Sequence, residues 1–286
     1  MLQLNDYIPE LEDLVERALD EDLAGGDVTS NALIPTRIIG TACFIVKDRG
    51  ILAGIEIARL VFNIIDPFLK FTTLIADGNS VKPGNIAARV EGDVADILKG
   101  ERTALNFLQH LSGIATQTSL YVEAVKSFPV KILDTRKTLP GLRILEKYAV
   151  SVGGGVNHRM NLGDMSLIKD NHIAILRRQG LSISEIVRRA RNNTPQNIKI
   201  EIETTNPEEA AEAAEAGADM VMLDNMSLDQ MRQAVSLIAH KSIVEASGGV
   251  SLDNVRLIAD AGVDWISIGA LTHSARALDI SMKLTF

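Results

Sequence analysis

The chain has 286 residues, of which 46% are hydrophobic and 23% charged, and its formal net charge is −8. That length suits one large domain or a large domain with a smaller one, and the apolar content is ample for a core. The acidic balance excludes a broad phosphate-neutralising face for nucleic acid; the single cysteine, Cys43, excludes a disulfide framework or a thiolate metal site; no apolar run approaches the ~18 residues of a membrane helix. Cys43 sits in the apolar run 42–46 and reads as a core residue rather than a reactive thiol. The opening residues MLQLNDYIPELEDL have neither a basic nor an apolar leader region, so a cytoplasmic protein is expected.

Residues 8–23 carry helical spacing (Leu11, Leu14, Val15, Ala18, Leu19) with acids near the start, which suits the helix dipole. The run Gly25-Gly26-Asp27-Val28-Thr29-Ser30 breaks that helix. β-Prone runs follow at 38–46, 71–75 and 86–90, punctuated by Asp77-Gly78 and Pro83-Gly84, with a helix over 54–65 between them. This portion reads as an α+β sandwich. A long helical stretch then covers 100–127, with Ala104, Phe107, Leu108, Leu111, Ile114 and Ala115 on one face and a break expected at Ser112-Gly113. The domain boundary is expected there, giving an N-terminal domain 1–112 and a second domain 113–273.

From residue 130 the pattern becomes a regular alternation. Buried strands are expected at 130–134, 198–203, 220–224, 243–246 and 265–268, with helices between them. Asn206, Pro207 and Glu209 start one helix as N-cap, N1 and N3; Ser227 with Gln230 and Ser251 with Asn254 mark two more starts. Gly217 and Gly262 each precede a strand and are expected just past helix ends in the left-handed conformation. Repeated β-then-α units with buried strands give a parallel sheet. No GxGxxG and no GxxxxGK[ST] is present, so a barrel is favoured over an open dinucleotide-binding sheet.

In such a barrel the chemistry lies at the C-terminal ends of the strands. The stretch 131–169 gathers seven Lys/Arg against three acids in a chain that is acidic as a whole. Strand 130–134 leads into Thr135-Arg136-Lys137; around the next strand lie Asn157-His158-Arg159 and Lys169-Asp170. Glu203 and Asp224 end the following strands. Ser247-Gly248-Gly249 and Gly269-Ala270-Leu271 follow the last two. Small, Gly-rich turns leading to helix N-termini suit a phosphate. Two carboxylates beside them suit Mg²⁺, and the cationic end suits a second anion held by arginine forks. The order describes two anionic substrates, one a phosphorylated sugar, brought together over a metal. Plainer readings exist for each piece. Arg143 and Lys147 are i,i+4 on a helix whose apolar face is Leu142, Leu145, Ala149 and Val152, and are expected on a solvated face. DTRK taken alone reads equally as a salt-bridged turn, and His158 alone as a structural histidine. Glu201 and Glu203 point the same way on one strand, so the choice between them stays open.

Several segments resemble the quinolinate phosphoribosyltransferase family: GDVTS (26–30), GERTALNFLQHLSGIAT (100–116), LDTRKTLPGLRILEKYAV (133–150), GGGVNHRMNL (153–162), LIKDNH (167–172), MLDNMS (222–227), EASGGVSLDN (245–254) and GALTHSARALDIS (269–281). The resemblance implies an open α/β barrel of about seven strands and an N-terminal sandwich domain joined by the tail 274–286. It implies transfer of phosphoribosyl from 5-phosphoribosyl-1-pyrophosphate to quinolinate with decarboxylation, a pentosyltransferase step of NAD biosynthesis that yields nicotinate mononucleotide. Arg102, Thr135, Arg136, His158, Arg159 and Lys169 would bind quinolinate. Lys137, Lys169, Glu203, Asp224, Ser247, Gly248, Gly249, Gly269, Ala270 and Leu271 would bind the phosphoribosyl donor, with Lys137, Glu203 and Asp224 at the chemistry. Mg²⁺ would sit on Glu203 and Asp224, partly through water, and a homodimer would lend Arg102 across its interface. The rivals are a molybdenum-operon relative acting on another aromatic acid, a Schiff-base aldolase using Lys169, and a non-catalytic phosphosugar-binding barrel.

Overall fold

The computed structural model describes residues 2–34 and 37–285. Phe286, at the end of the expected tail, lies outside the described residues. The chain divides into two compact units: Met1–Ser119 with Thr138–Gly154 and Leu271–Phe286, and Leu120–Lys137 with Gly155–Ala270.

Among the described residues the strands in chain order are β1 (Ile39–Val46), β2 (Gly50–Ile51), β3 (Lys70–Thr73), β4 (Ser80–Val81), β5 (Ile86–Asp93), β6 (Lys131–Leu133), β7 (Ser166–Ile168), β8 (Ile200–Thr204), β9 (Met220–Asp224), β10 (Ile243–Ser247), β11 (Trp265–Ser267) and β12 (Ile280–Thr285). In the first unit β12, β1, β5 and β3 form an antiparallel sheet in that order, and β2 pairs with β4. Along β1 every second side chain is buried, which puts Ala42, Phe44 and Val46 inward. Phe44, Phe62 and Phe71 meet with ring centroids about 6 Å apart, so β1, the helix Ile55–Ile65 and β3 share one core. Cys43 alternates to the opposite side and is half-buried, not the core residue expected. The tail returns to this sheet, where β12 pairs with β1 from Thr41↔Thr285 to Val46↔Ile280.

The helix over Ile8–Leu23 forms as its spacing predicts. The run after it is not only a breaker: Asp27 accepts the Ser30 N–H at 2.9 Å and caps a short helix, Val28–Leu33. The long helix runs unbroken over Val94–Val125. The expected interruption at Gly113 is absent, because that glycine serves another purpose: a Cβ there would collide with the Arg276 carbonyl, so it admits the returning tail. Helix Arg143–Val152 belongs to the first unit although it lies in sequence among the barrel elements. The expected solvated face is corrected here. Lys147 and Glu146 are fully buried, and Arg143 is half-buried with its Nε donating to Thr138 Oγ1 at 3.2 Å. Glu146 accepts from His110 Nε2 at 2.9 Å and from the Leu139 N–H at 3.3 Å.

In the second unit β6, β11, β10, β9, β8 and β7 form one parallel sheet in that order. A single parallel bridge, Leu133↔Val156, adds a seventh member at the β6 edge. About seven strands were expected; six are strands, and the seventh is this one-residue bridge. Strands β8 and β9 are buried on almost every residue, as a parallel sheet covered on both faces requires. The caps fall where the sequence places them for Asn206 on Pro207–Glu215 and Ser227 on Leu228–Ile238. The third start is shifted: Asn254 is the N-cap of Val255–Asp260, and its Oδ1 accepts the Ser251 N–H at 2.8 Å. Gly217 and Gly262 take φ of 90° just past their helices. Among the described residues no helix is long and apolar enough to cross a membrane.

Candidate active site

The strand ends of the second unit bring most of the expected residues to one region. After β6, Asp134 is fully buried, and Thr135 and Arg136 are half-buried. Lys137 is exposed, with its N–H donating to Thr135 Oγ1 at 3.0 Å. Asp134 ties the next segment down: Asn157 Nδ2 donates to Oδ2 at 2.6 Å and the His158 N–H to Oδ1 at 2.9 Å. Arg159 comes next, with Nη1 donating to the Met165 carbonyl at 2.9 Å. Burial lowers the Arg159 pKa, and the like charge of Arg136 lowers it further; Glu201 and Glu203 oppose both. Two guanidiniums therefore stand close enough to repel. Arg136 Nε is buried with no hydrogen-bond partner among the described residues. An anion between them would relieve both conditions.

At the end of β7, Lys169 Nζ lies 2.8 Å from Glu203 Oε1, and the Asp170 N–H reaches Glu203 Oε2 at 3.3 Å. Glu203 is thus at the mouth, half-buried and held from the cationic side. Glu201, two residues earlier, faces the same way but is fully buried. It meets a residue that sequence reasoning missed, Glu245 on β10, through His158. Nε2 of His158 lies 3.1 Å from Glu201 Oε2 and 3.4 Å from Glu245 Oε2. In a flat sheet β8 and β10, with β9 between them, would be about 9.6 Å apart, so the contact marks the concave interior of the curved sheet. The signal for Glu245 was present, since a carboxylate in the apolar strand Ile243-Val244-Glu245-Ala246 demands a partner.

Desolvation disfavours the imidazolium, but Glu201 and Glu245 outweigh it and draw the His158 pKa up to about 9. Burial likewise raises Glu201, against the pull of His158. These protons belong to the three groups together. The Arg159 N–H lies 2.8 Å from His158 Nδ1, so in the neutral ring that nitrogen is bare and the N–H is on Nε2, facing the carboxylates. His158, expected as a quinolinate ligand, is turned inward: Nε2 faces this pair and Nδ1 accepts from the chain.

Beside β8, β9 ends in Asp224, half-buried, whose Oδ2 accepts from Asn225 Nδ2 at 3.1 Å. Asn225 has φ of 54°, and its N–H donates to the Ser247 carbonyl at 2.9 Å. Gly248 and Gly249 come after it with φ of 93° and 60°, and a Cβ on Gly248 would collide with the Asn225 side chain. These left-handed glycines leave a backbone surface that a phosphate can approach closely. Gly269 and Ala270 are half-buried just past the end of β11, and Leu271 is fully buried. Arg102 lies exposed on Val94–Val125 in the first unit. Glu203 and Asp224 offer hard carboxylate oxygens of the kind Mg²⁺ takes. Because Lys169 and Asp170 already engage Glu203, a contact through water suits it best.

Residues 27–112 match the family model described as quinolinate phosphoribosyl transferase, N-terminal domain, and residues 114–283 its C-terminal domain. A probable nicotinate-nucleotide pyrophosphorylase [carboxylating] from a Synechocystis strain is 41% identical over 273 residues, covering 94% of this chain and 91% of that protein. The nicotinate-nucleotide pyrophosphorylase [carboxylating] of Mycobacterium leprae is 40% identical, covering 95% of this chain and 96% of its own length. Among solved structures, NadC from Streptococcus pyogenes superposes with a TM-score of 0.93 at 41% identity, covering 100% of this chain and 98% of that one.

Proposed function

This chain belongs to the quinolinate phosphoribosyltransferase family, and from that premise we propose how its strand ends carry the reaction. The activity is decarboxylating transfer of phosphoribosyl to quinolinate, a step of NAD biosynthesis. The observation that carries the site assignment is the close pair Arg136 and Arg159, with the buried, unpartnered Arg136 Nε between strand end and turn. A dicarboxylate answers that arrangement better than a monocarboxylate, since Arg136, Arg159 and Lys169 each supply a cation.

Quinolinate rests on these three residues, with Thr135 beside them and His158 supporting them from below. The Ser247-Gly248-Gly249 turn and the Gly269-Ala270-Leu271 backbone hold the 5′-phosphate. Glu203 and Asp224 face the ribose hydroxyls, and Lys137 lies by the pyrophosphate. Mg²⁺, when bound at Glu203 and Asp224, supplies charge neutralisation for the departing pyrophosphate. Held in this geometry, the quinolinate nitrogen attacks C1 of the ribose as the C1–O bond to pyrophosphate breaks. The carboxylates of Glu203 and Asp224 favour the positive charge that develops at the ribose. The ring nitrogen, now quaternary and positive, stabilises the electron pair left on C2 when the 2-carboxylate departs as CO₂, and that pair then takes up a proton. No residue forms a covalent bond to substrate, so positioning is the chain's main contribution.

Arg102 is exposed on its helix, and we place it in the site of a second copy, in a homodimer. A reducing compartment, the cytoplasm, suits a chain whose only cysteine is Cys43. The deciding experiment is quinolinate-dependent CO₂ release with and without 5-phosphoribosyl-1-pyrophosphate and Mg²⁺. Release that requires both supports this reading, and release indifferent to either overturns it. For the dimer, Arg102→Ala and Lys169→Met subunits, each strongly impaired alone, are expected to recover part of the activity when mixed. No recovery in exchanged dimers removes the shared site.

A further inference from the structure

Glu201 and Glu245 are fully buried on β8 and β10, and their four carboxylate oxygens have no hydrogen-bond partner of good alignment among the described residues. Burying two carboxylates is costly unless something holds them. The His158 imidazole stands between them, at 3.1 and 3.4 Å. All three ligating atoms lie within 4.8 Å of one another, which is also the spacing of a metal site. The other ring nitrogen decides between the two readings. A metal on Nε2 requires a proton on Nδ1, yet Nδ1 accepts the Arg159 N–H. The neutral ring therefore carries its N–H on Nε2, which faces both carboxylates at ion-pair distance.

We propose that Glu201 and Glu245 are positioning residues for quinolinate recognition: a buried pair of acceptors that clamps His158 by its Nε2–H and so fixes the turn that presents Arg159. The turn is then pinned from two sides. Asp134 holds the Asn157 side chain and the His158 N–H, while the glutamates hold the His158 ring. With the ring fixed, Nδ1 fixes the Arg159 N–H, and the guanidinium is kept beside Arg136 despite their repulsion. This inference rests on the placement of quinolinate at Arg136 and Arg159.

The test compares Glu245→Leu, which deletes an acceptor, with Glu245→Gln, which keeps one, and with Arg159→Ala. Glu245→Leu is expected to raise the quinolinate KM at least about tenfold while the phosphoribosyl-donor KM stays within about twofold. Glu245→Gln is expected to raise the quinolinate KM less than about threefold. A folded Glu245→Leu protein with an unchanged quinolinate KM, beside a raised KM in Arg159→Ala, overturns the clamp and leaves the pocket standing. An unchanged KM in Arg159→Ala overturns the pocket instead. Should Glu245→Leu not fold, the ring nitrogens of His158 in the native enzyme decide. Long-range ¹H–¹⁵N spectra followed across the ring's titration, assigned by loss of the signal in His158→Gln, are expected to show Nε2 protonated throughout and Nδ1 bare once the ring is neutral. The opposite tautomer or stoichiometric bound metal overturns the clamp.

Discussion

Asp134 is bonded to both Asn157 and His158: its two carboxylate oxygens take the Asn157 side-chain N–H at 2.6 Å and the His158 backbone N–H at 2.9 Å. One buried carboxylate thereby couples the strand end that bears Arg136 to the turn that bears Arg159. Asp134→Ala is expected to leave those donors unsatisfied and to destabilise the protein by about 2–3 kcal/mol. Thermal unfolding reads the stability, and a raised quinolinate KM reads the loosened turn. Unchanged values for both would mean the coupling carries nothing.

Lys169 and Glu203 separate function from stability. Their contact is 2.8 Å, but the lysine side chain is about half exposed. Lys169→Met is expected to change stability by no more than about 0.5 kcal/mol, because solvent screens such a pair. Its kcat/KM for quinolinate is expected to fall roughly a hundredfold, the scale of losing a charged substrate contact. Parallel unfolding and steady-state measurements check the split.

Gly248 takes φ of 93°, and a Cβ would meet the Asn225 side chain. Gly248→Ala is expected to cost about 1–3 kcal/mol in strain and displaced backbone. The effect should fall on the KM for the phosphoribosyl donor, with quinolinate affinity far less altered. A change confined to quinolinate would argue against a phosphate cradle at this turn.

In the first unit Tyr148 OH donates to Asp77 Oδ2 at 2.7 Å, and Asp77 also accepts the Gly54 and Ile55 N–H groups at the start of Ile55–Ile65. Burial raises the Asp77 pKa in spite of these donors. Tyr148→Phe is expected to lower stability by about 1–3 kcal/mol, since a buried carboxylate loses a donor. It should also push the Asp77 pKa higher. A group raised in the folded state favours folding below its unfolded value and loses that contribution as pH rises through the folded value. The variant's deficit is therefore expected to grow from acid toward neutral pH in denaturant titrations.

The His158 cluster gives the same sign at higher pH. Its pKa rises from 6.5 to about 9 in the folded chain, so the native state holds a proton that the unfolded chain has released. Its contribution to stability is full below the unfolded value and is lost as pH rises through about 9. The midpoint of thermal unfolding is expected to fall over that window, and Glu245→Gln is expected to flatten the fall. A native profile that rises instead would contradict the cluster's retention of a proton.

Local pattern carried the sequence a long way. Period-2 burial in β1, the buried runs of β8 and β9, and the caps at Asn206 and Ser227 depend on neighbours a few residues away, so they can be read without a fold. The cations and glycines of the site were legible for the same reason, because parallel strands place their trailing loops at one end of the sheet. The features the sequence could not decide depend on residues far along the chain. Gly113 looked like a helix break until the Arg276 backbone was against it. Lys147 looked solvated until its helix was packed into the first unit. Glu201 and Glu203 are identical by alternation. Only the curvature that brings β8, β10 and His158 together buries the first and leaves the second at the mouth. Composition and spacing set the elements and the charge each one carries; the burial that gives a charge its role is a property of the packed whole, where solvent is excluded and partners are imposed.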